Sequence, residues 1–556
     1  MTQSALQSSN PADHRHVLAQ FEMEYATAIK SGVYLPYVYP FNSFGPYLLI
    51  LYILLPPSKS KVLHYARYPV FATVIYLSLS CIFQCRSSNV AVGFGIGLLN
   101  GLAILWSATL VIFHDARAKF KRVERQGHAS ADEKELFNNT NASGHANGST
   151  RSDGHEPHAR KASRKTSSGA PQHWSSAASL DRSKAPKNVF ANKSGPLAWQ
   201  SLPTTLAARI DWTLDLVSNF RGVGWNYQIS SLPSLPSFVQ RELGQTPGPS
   251  SSTSKTGNHR YDTVGSLLRA KAVSFTVAYL AVDVIKQVMM RDPYFWSLTD
   301  APPPTYLPTF ITSSAAITRI YRLLLSLGGI HITLYLIFVL APLFFVGVLG
   351  SKVIGARGEP WMYPDTSGSY STVFSKGLAG WWGGWWHQTF RFAFEAPTVW
   401  LCDKLGWENG SQKGKLLGLC IAFACSACLH ASGSFTIWGE TKPLRRSATF
   451  FLLQPLGIVA QMMLASWLKK IGFRDRMPQW IRGLANFVWT HVWFFYTAPF
   501  LCDDFAGGGV WLFEPLPISI LRGLGFGLEG QGWWCWTWPW FTWYSADQWW
   551  RSGLAI

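Results

Sequence analysis

Charged residues and cysteines are both scarce in this chain. Only 14% of its 556 residues are charged, and its 8 cysteines lie mostly inside apolar segments, which argues against a disulfide framework. The net charge of +19 is not accompanied by a recognised nucleic-acid-binding module, so we expect no nucleic-acid partner. Residues 1–33 lack a basic start followed by an apolar core, and we therefore expect no cleaved signal peptide.

Long apolar runs dominate the chain outside one polar region. Residues 90–113 and 323–349 each exceed the roughly 20 residues that a helix needs to cross the hydrocarbon core. The pattern predicts an all-α, polytopic membrane protein with about 8–9 transmembrane helices. The predicted spans are 44–56 (extended upstream toward Tyr34), 69–85, 90–113, 265–288, 323–349, 415–433, 447–468 and 484–502, with a weak ninth at 510–528.

A polar insert separates the first apolar segments from the rest. Residues 127–195 are rich in Ser, Gly, His, Asn, Lys and Arg, a composition that buries too little apolar surface to offset the entropy of ordering, so we expect disorder. The insert carries glycosylation sequons, which matter only in a luminal loop, at Asn138, Asn141, Asn147 and Asn192. The predicted division is a polar N-terminal segment 1–33, first transmembrane helices 34–113, a cytosolic loop 114–262, a membrane core 263–509 and a Trp-rich interfacial C-terminus 510–556.

Basic residues predict which side of the membrane each loop faces. Lysines and arginines follow the first and third spans, so both of these loops are expected on the cytosolic side. If the predicted spans are counted onward from these loops, the loop 350–414 also lies on the cytosolic side. The same count places the loop with Lys442, Arg445 and Arg446 on the luminal side, against the usual distribution of charge; a re-entrant segment, or a wrong span near 430–450, would resolve this conflict.

One histidine, His430, stands near the end of an apolar stretch of membrane length. An ionisable group at that depth is costly to bury and tends to mark a functional site. The helical face around it collects Ser426, Ala427, Gly433 and Ser434, a small polar stripe that lets a substrate approach closely. His430 is therefore a candidate general base, since neutral imidazole accepts protons near working pH. The alternative is a packing histidine bonded to a backbone carbonyl.

A second histidine lies in the tryptophan-rich segment Trp381-Trp-Gly-Gly-Trp-Trp-His387-Gln-Thr-Phe-Arg391. Such tryptophans can equally form a belt at the membrane interface. Arg391 is a candidate contact for phosphate or carboxylate, because guanidinium offers planar bidentate donors; the alternative is a snorkelling loop arginine. His331 has no polar stripe around it and is predicted to be structural. Asp283 and Lys286, near the end of the fourth span, are candidates for an ion pair.

Four separated segments together resemble the wax synthase-like branch of the membrane-bound O-acyltransferase superfamily, of the type that in fungi acylates secondary metabolites. The segments are Arg221-Gly-Val-Gly-Trp-Asn-Tyr227, Asp292-Pro-Tyr-Phe-Trp296, Trp386-His-Gln-Thr-Phe-Arg391 with the following Phe394-Glu-Ala-Pro397, and the helix that ends in His430. The resemblance covers roughly residues 30–110 and 205–500. Two features depart from the family: the insert 127–195, and Cys428-Leu-His-Ala-Ser-Gly433, where relatives more commonly place serine and glycine before the histidine.

The resemblance implies an O-acyltransferase with acyl-CoA, first of all acetyl-CoA, as co-substrate, and with no metal or permanently bound cofactor. It implies a hydrophobic alcohol acceptor, such as a terpenoid or polyketide, and an endoplasmic-reticulum-type membrane. It assigns catalysis to His430 and to His387, the latter at a position where relatives carry Asn, Asp or His. Arg391 and Trp386 are the corresponding candidates for binding acyl-CoA.

Two alternatives stay open at the level of sequence. A long-chain acyl-CoA with a fatty alcohol or another lipid acceptor would give waxes or related esters. A transporter or membrane scaffold is the non-enzymatic alternative. Transporters often carry internal repeats, and no such duplication is visible in this sequence.

Overall fold

The computed structural model describes residues 13–56, 60–126, 195–248, 251–537 and 540–556, and within them the chain is mainly helical. Eleven of the described helices have ten or more residues: α1 His14–Lys30, α2 Phe44–Leu54, α3 Arg67–Gln84, α4 Val90–Ser107, α5 Leu206–Ser218, α6 Val264–Met289, α7 Ala315–Pro342, α8 Arg391–Leu405, α9 Gln412–Thr436, α10 Thr449–Lys470 and α11 Gln479–Gly507. The shorter helical segments are Phe41–Ser43, Lys61–Tyr65, Ala108–Phe113, Ala116–Lys119, Ser237–Glu242, Pro293–Trp296, Thr309–Thr312, Leu343–Leu349, Ser351–Ile354, Gly355–Gly358, Pro360–Met362, Ser371–Lys376, Leu378–Gly380, Trp381–Trp385, Leu444–Ala448, Phe473–Arg476, Val510–Leu512, Arg522–Phe526 and Trp549–Arg551. The all-α class is confirmed.

Six helical segments among the described residues are long and apolar enough to cross a membrane: Lys61–Gln84, Val90–Phe113, Val264–Met289, Ala315–Leu349, Gln412–Thr436 and Leu444–Lys470. Two further predicted spans also coincide with helices. These are the short apolar α2 and the 29-residue α11. Each of the eight main predicted spans therefore falls on a helix, and the chain is a polytopic membrane protein.

The upstream extension of the first span is wrong. Its helix does not reach back to Tyr34, because residues 35–39 form two short strands that pair with chain segments far away in sequence. The strands are β1 Leu35–Pro36, β2 Val38–Tyr39, β3 Cys85–Arg86, β4 Arg122–Arg125, β5 Leu197–Gln200, β6 Thr542–Tyr544 and β7 Gly553–Ala555. β1 pairs in parallel with β3, β7 lies antiparallel between β2 and β6, and β4 pairs antiparallel with β5.

The weak ninth span at 510–528 does not form a membrane helix. It contains two short helical turns, Val510–Leu512 and Arg522–Phe526, with prolines between them that interrupt helical hydrogen bonding. Helix α6 fixes this segment in place. Lys286 Nζ donates to the carbonyl oxygens of Trp511 (2.5 Å) and Phe513 (2.9 Å), and Asp283 accepts from the backbone N–H of Leu521 (3.0 Å).

Asp283 and Lys286 therefore do not pair with each other. Both side chains are buried, and both bind the segment that follows α11. The candidate ion pair within α6 was wrong because spacing along a helix gives no information about a partner more than two hundred residues away.

The hairpin of β4 and β5 brackets the polar insert. The backbone N–H of Gln126 donates to the carbonyl of Pro196 (2.9 Å), and that of Gly195 donates to the carbonyl of Gln126 (3.0 Å). The chain thus leaves and re-enters the described structure at adjacent positions. Residues 127–194 of the predicted disordered insert, including its four sequons, lie outside the described residues.

Helix α9, which carries His430, is held tightly against α4. The Ser411 side chain caps its first turn by accepting from the backbone N–H of Gly414. Near its other end, a Cβ on Gly97 of α4 would lie only 1.8 Å from the carbonyl oxygen of Ser432. Thr436 Oγ1 accepts from the Gly97 N–H (2.9 Å) and donates to the Gly93 carbonyl (2.7 Å). Small residues thus let the two backbones approach closely, as is common between membrane helices.

Candidate active site

His387 follows a tight, tryptophan-rich turn. Residues Trp381–Trp385 form one wide helical turn, and the chain becomes extended at Trp386. Gly384 is needed in this turn because a Cβ there would lie 2.7 Å from Thr372 Oγ1. After the turn, Gln388 Nε2 donates to the carbonyl oxygens of Trp382 (2.7 Å) and Trp386 (2.8 Å). The backbone on both sides of His387 is therefore fixed by packing and by hydrogen bonds.

The side chain of His387 lies deep in the protein among aromatic rings, and the residue is partly accessible. The rings of Trp386 and Phe338 lie 5.2 and 5.8 Å from it, centroid to centroid. Its buried Nδ1 has no hydrogen-bond partner in the described part of the chain. Burial, with smaller contributions from His331 and Arg221, lowers the pKa of His387 to about 4, so the ring is neutral at pH 7.

His430 has a similar environment on α9. Its ring packs on Phe451 of α10, at a centroid distance of 4.2 Å, and lies 6.4 Å from Phe94 of α4. This side chain is also deep in the protein and partly accessible. Its buried Nδ1 has no hydrogen-bond partner within the described ranges. The packing alternative requires a backbone carbonyl bonded to this ring, and at Nδ1 none is found.

Trp382 connects the surroundings of the two histidines. Its ring lies 6.0 Å from that of Trp386 and 6.1 Å from that of Phe451, and its Nε1 donates to Gln454 Oε1 (3.3 Å). Because Trp386 contacts His387 (5.2 Å) and Phe451 contacts His430 (4.2 Å), a continuous chain of aromatic rings links the two histidines. The structure thus brings together the two histidines singled out in the sequence, in what we call the histidine chamber: His387, His430 and the rings around them.

The other two candidates lie beside the chamber. Trp386 lies between His331 and His387, at centroid distances of 5.6 and 5.2 Å. Arg391 is engaged locally, since its Nε donates to Glu395 Oε1 (2.7 Å) and one terminal nitrogen donates to Gln388 Oε1 (3.3 Å). Their predicted roles in binding acyl-CoA stay predictions. Among the described residues, no group of three or more His, Cys, Asp or Glu side chains is placed to hold a metal ion.

Two residues that the sequence did not single out for chemistry also reach this chamber. His331 stacks on Trp385 at a centroid distance of 4.4 Å, which its aliphatic neighbours in sequence could not indicate. Arg221 donates to the carbonyl oxygens of Asp365 (2.8 Å) and Pro364 (3.1 Å), and its charge reaches His387. The only sequence signal for Arg221 was its place in one of the four family-like segments.

A hydrogen-bonded pair supports the chamber from the side of α11. His491 Nδ1 lies 2.8 Å from the carbonyl oxygen of Phe487 and must donate to it, which leaves Nε2 to accept. The hydroxyl of Tyr370 lies 3.0 Å from that Nε2, and its ring meets Trp385 edge-on at 5.2 Å. Tyr370 and His491 therefore fix the ring on which His331 stacks.

The segment that carries both histidines is similar to a known acyltransferase family. Residues 363–453, which include His387, Arg391 and His430, match the Membrane bound O-acyl transferase family. The resemblance predicted from the four motifs is confirmed.

The chain is also similar to fungal proteins. It is 27% identical to acetyltransferase ataH of Aspergillus terreus over 30% of this chain and 53% of that protein, and 26% identical to acetyltransferase ple2 of Rhodocybe pseudopiperita over 53% and 66%. It is 24% identical to O-mevalon transferase yanI of Aspergillus niger over 53% of this chain and 61% of that protein. The chain thus spans between about half and two thirds of the length of these relatives. No solved structure matches it.

Proposed function

We propose that this chain is an acyl-CoA-dependent O-acyltransferase that transfers an acyl group, with acetyl as the first choice, to a hydroxyl of a hydrophobic acceptor such as a terpenoid or polyketide. The observation that supports this best is the pair of partly accessible histidines, each with an unpartnered Nδ1, in one aromatic chamber within the segment that matches the family. The names of two fungal relatives support acetyl as the transferred group. We further propose an endoplasmic-reticulum-type membrane as its location.

In this proposal His430 is the general base. Its neutral imidazole accepts the proton of the acceptor hydroxyl while the oxygen attacks the carbonyl carbon of the thioester. The new C–O bond forms and negative charge gathers on the carbonyl oxygen. The C–S bond then breaks, the carbonyl is restored, and the imidazolium returns its proton to the sulfur of CoA. Atoms and charges balance with the acyl donor and acceptor alone.

His387 acts on the carbonyl oxygen. A neutral imidazole keeps one N–H, which can donate to the oxyanion as charge develops there. The lowered pKa of His387 serves this role, because the ring stays neutral at working pH. Trp386 and Arg391 are proposed to orient the acyl-CoA, with the Trp386 ring beside His387 and the guanidinium of Arg391 toward phosphate.

The experiment is an acyl-transfer assay with purified full-length protein. Labelled acetyl-CoA or palmitoyl-CoA is supplied with a panel of terpenoid, polyketide and fatty alcohols, and His430→Ala serves as the inactive control. We expect a labelled ester from acetyl-CoA that is nearly absent with the variant. Preference for palmitoyl-CoA and a fatty alcohol would replace this proposal by the wax-type alternative. Absence of ester from every pair would favour the transporter or scaffold.

A further inference from the structure

A cavity of about 380 Å³ lies at the end of the helix bundle near His430, and basic side chains dominate its wall. Arg319 reaches it from the first turns of α7. Lys442, Arg445 and Arg446 reach it from the junction between α9 and α10. The next residue, Ser447, has its hydroxyl 3.5 Å from the carbonyl oxygen of His430, so the cavity adjoins the helix turn that carries this histidine.

The positive charge of this cavity is only partly balanced by the protein. Asp503 is the one carboxylate on the described wall, and its Oδ1 already accepts from the hydroxyl of Tyr294 (2.6 Å). Within the part of the chain that the structure describes, none of the four cations forms an ion pair. Elsewhere in the molecule arginines do find carboxylates, as Arg322 does at Asp292 (3.0 Å). Four converging cations outnumber Asp503 and the neighbouring Asp504, which accepts from the backbone N–H of Lys442, so a net positive potential remains in the cavity.

The cations are held in place by contacts that leave their charge available. A terminal nitrogen of Arg446 donates to the backbone carbonyl of Asp503 (3.2 Å), and the guanidinium of Arg319 lies 5.2 Å from the ring centroid of Phe495. The loop itself is anchored, because the backbone N–H of Lys442 donates to Asp504 Oδ1 (2.7 Å). Neither a carbonyl nor an aromatic face neutralises a cation, so the site is arranged in advance for an anion.

The predicted topology gives a further reason for an anion at this cavity. It places the loop with Lys442, Arg445 and Arg446 on the luminal side, where basic residues are disfavoured, and a bound anion would be a reason to keep them there. Beside the cations, Tyr496 and Phe500 expose 67% and 37% of their surface. Exposed aromatic rings below a set of cations are typical of the level at which lipid headgroups meet the hydrocarbon region.

We propose that this cavity binds a phosphate group, supplied by the headgroup of an anionic phospholipid in the leaflet at this end of the bundle. Arginine and lysine side chains that converge from two helix ends can surround a phosphate, with the guanidinium groups as planar bidentate donors. The exposed aromatic rings would lie along the acyl chains. This inference is independent of the acyl-transfer reaction.

The test measures lipid binding by purified full-length protein in detergent, by native mass spectrometry during titration with phosphatidic acid. The double substitution Lys442→Gln/Arg445→Gln removes two exposed cations of the cavity. We expect its apparent Kd for phosphatidic acid to rise by about tenfold or more, since charge-assisted contacts to phosphate are strong. The matched control is Lys469→Gln/Lys470→Gln, two exposed cations at the opposite end of α10, and we expect it to bind like the unsubstituted protein.

Two further ligands identify the source of the phosphate. Phosphatidylcholine should bind more weakly than phosphatidic acid, and soluble glycerol 3-phosphate should not compete at equal concentration. Competition by glycerol 3-phosphate that depends on Lys442 and Arg445 would overturn the lipid as the source while supporting the phosphate site. Equal losses in both double variants, or equal binding of the two lipids, would overturn the site itself. The melting temperature of each variant shows whether a loss of binding reflects a loss of folding.

Discussion

Two buried polar regions of this molecule are organised in opposite ways. Around Arg122, on β4, every charge has a counter-charge: its guanidinium lies 3.2 Å from Glu124, 2.6 Å from Asp211 and 3.1 Å from Asp215. Its Nε donates to Gln200 Oε1 (2.8 Å). This Arg122 cluster joins β4, β5 and α5, and it includes no unpartnered group of Arg122.

The histidine chamber shows the reverse arrangement. The Nδ1 atoms of His387 and His430 are buried and have no partner among the described residues. A buried polar group normally has a hydrogen-bond partner, so these two nitrogens are candidates for contact with a ligand. The polar groups of the Arg122 cluster are thus paired within the protein, whereas the two histidine nitrogens of the chamber are not.

The largest expected loss of folded protein comes from Arg122→Met. Removing this guanidinium breaks its ion pairs with the buried carboxylates of Glu124 and Asp215, while Asp211 still pairs with Arg357. Breaking a buried pair typically costs about 3–5 kcal/mol. We expect low yield and a strongly lowered melting temperature in detergent. Arg125→Gln on the same strand is the control, because the more exposed pair with Glu359 contributes only about 0–1 kcal/mol. Equal melting temperatures for the two variants would contradict the structural role of the Arg122 cluster.

Hydropathy predicted the helices of the membrane core, but it did not predict helix α8 or the position of the segment 510–528. All eight main spans are helices because long apolar segments must satisfy their backbone hydrogen bonds within the membrane. Helix α8 was missed, since Arg391, Glu395, Asp403 and Lys404 interrupt its apolar pattern. The prolines of the segment 510–528 argued against a membrane helix. Hydrogen bonds with Lys286 and Asp283 of α6 hold this segment in place, and its own sequence pattern does not indicate them.

Residues of the candidate site that lie in a local sequence motif could be predicted. Residues that reach it only through tertiary contacts could not. His430 and His387 were singled out from local sequence, and in the structure a chain of aromatic ring contacts links them. His331 was predicted to be structural because Ile330 and Ile332 flank it. Its contact with Trp385, more than fifty residues further along the chain, depends on how α7 packs against the tryptophan turn.

Changes at His387 should reduce turnover without loss of folding. For His387→Ala we expect turnover per folded molecule to fall by about 10²–10³-fold, because one donor to the oxyanion is lost. His387→Asn should be milder, since an amide can still donate a hydrogen bond. Both variants should melt close to the unsubstituted protein. A melting temperature that falls together with turnover would instead place His387 among the groups that stabilise the fold.

Arg391 gives a smaller and more selective effect. If Arg391 contacts the CoA phosphates, Arg391→Ala should raise the apparent KM for acyl-CoA more than that for the alcohol. Arg391→Lys should restore the KM only in part, because lysine lacks the planar bidentate donors of a guanidinium. Glu395→Gln is the matched control, since it removes the ion pair but keeps the guanidinium. An equal change in both KM values, or none, would leave Arg391 with its local contacts to Glu395 and Gln388.

The smallest effect is expected from removal of the polar insert. Gln126 and Gly195 are hydrogen-bonded neighbours, so replacing residues 127–194 by a two-residue Asn-Gly turn should close the β4–β5 hairpin. We expect membrane insertion and turnover to stay near those of the full chain. The full chain should carry no glycan on the insert. A glycosidase-sensitive mass shift that disappears when the four asparagines of the sequons are substituted would overturn the cytosolic assignment.

The measurement that tests the account most directly is turnover per folded molecule for His430→Ala, taken together with its melting temperature. A positioned general base contributes about 10²–10⁴-fold, so turnover should fall by that factor while the melting temperature changes little. A packing histidine would give the opposite result, with a lowered melting temperature and near-normal turnover in the molecules that fold. Retention of more than about a third of the original turnover, far above what loss of a general base leaves, would contradict the proposed chemistry of His430.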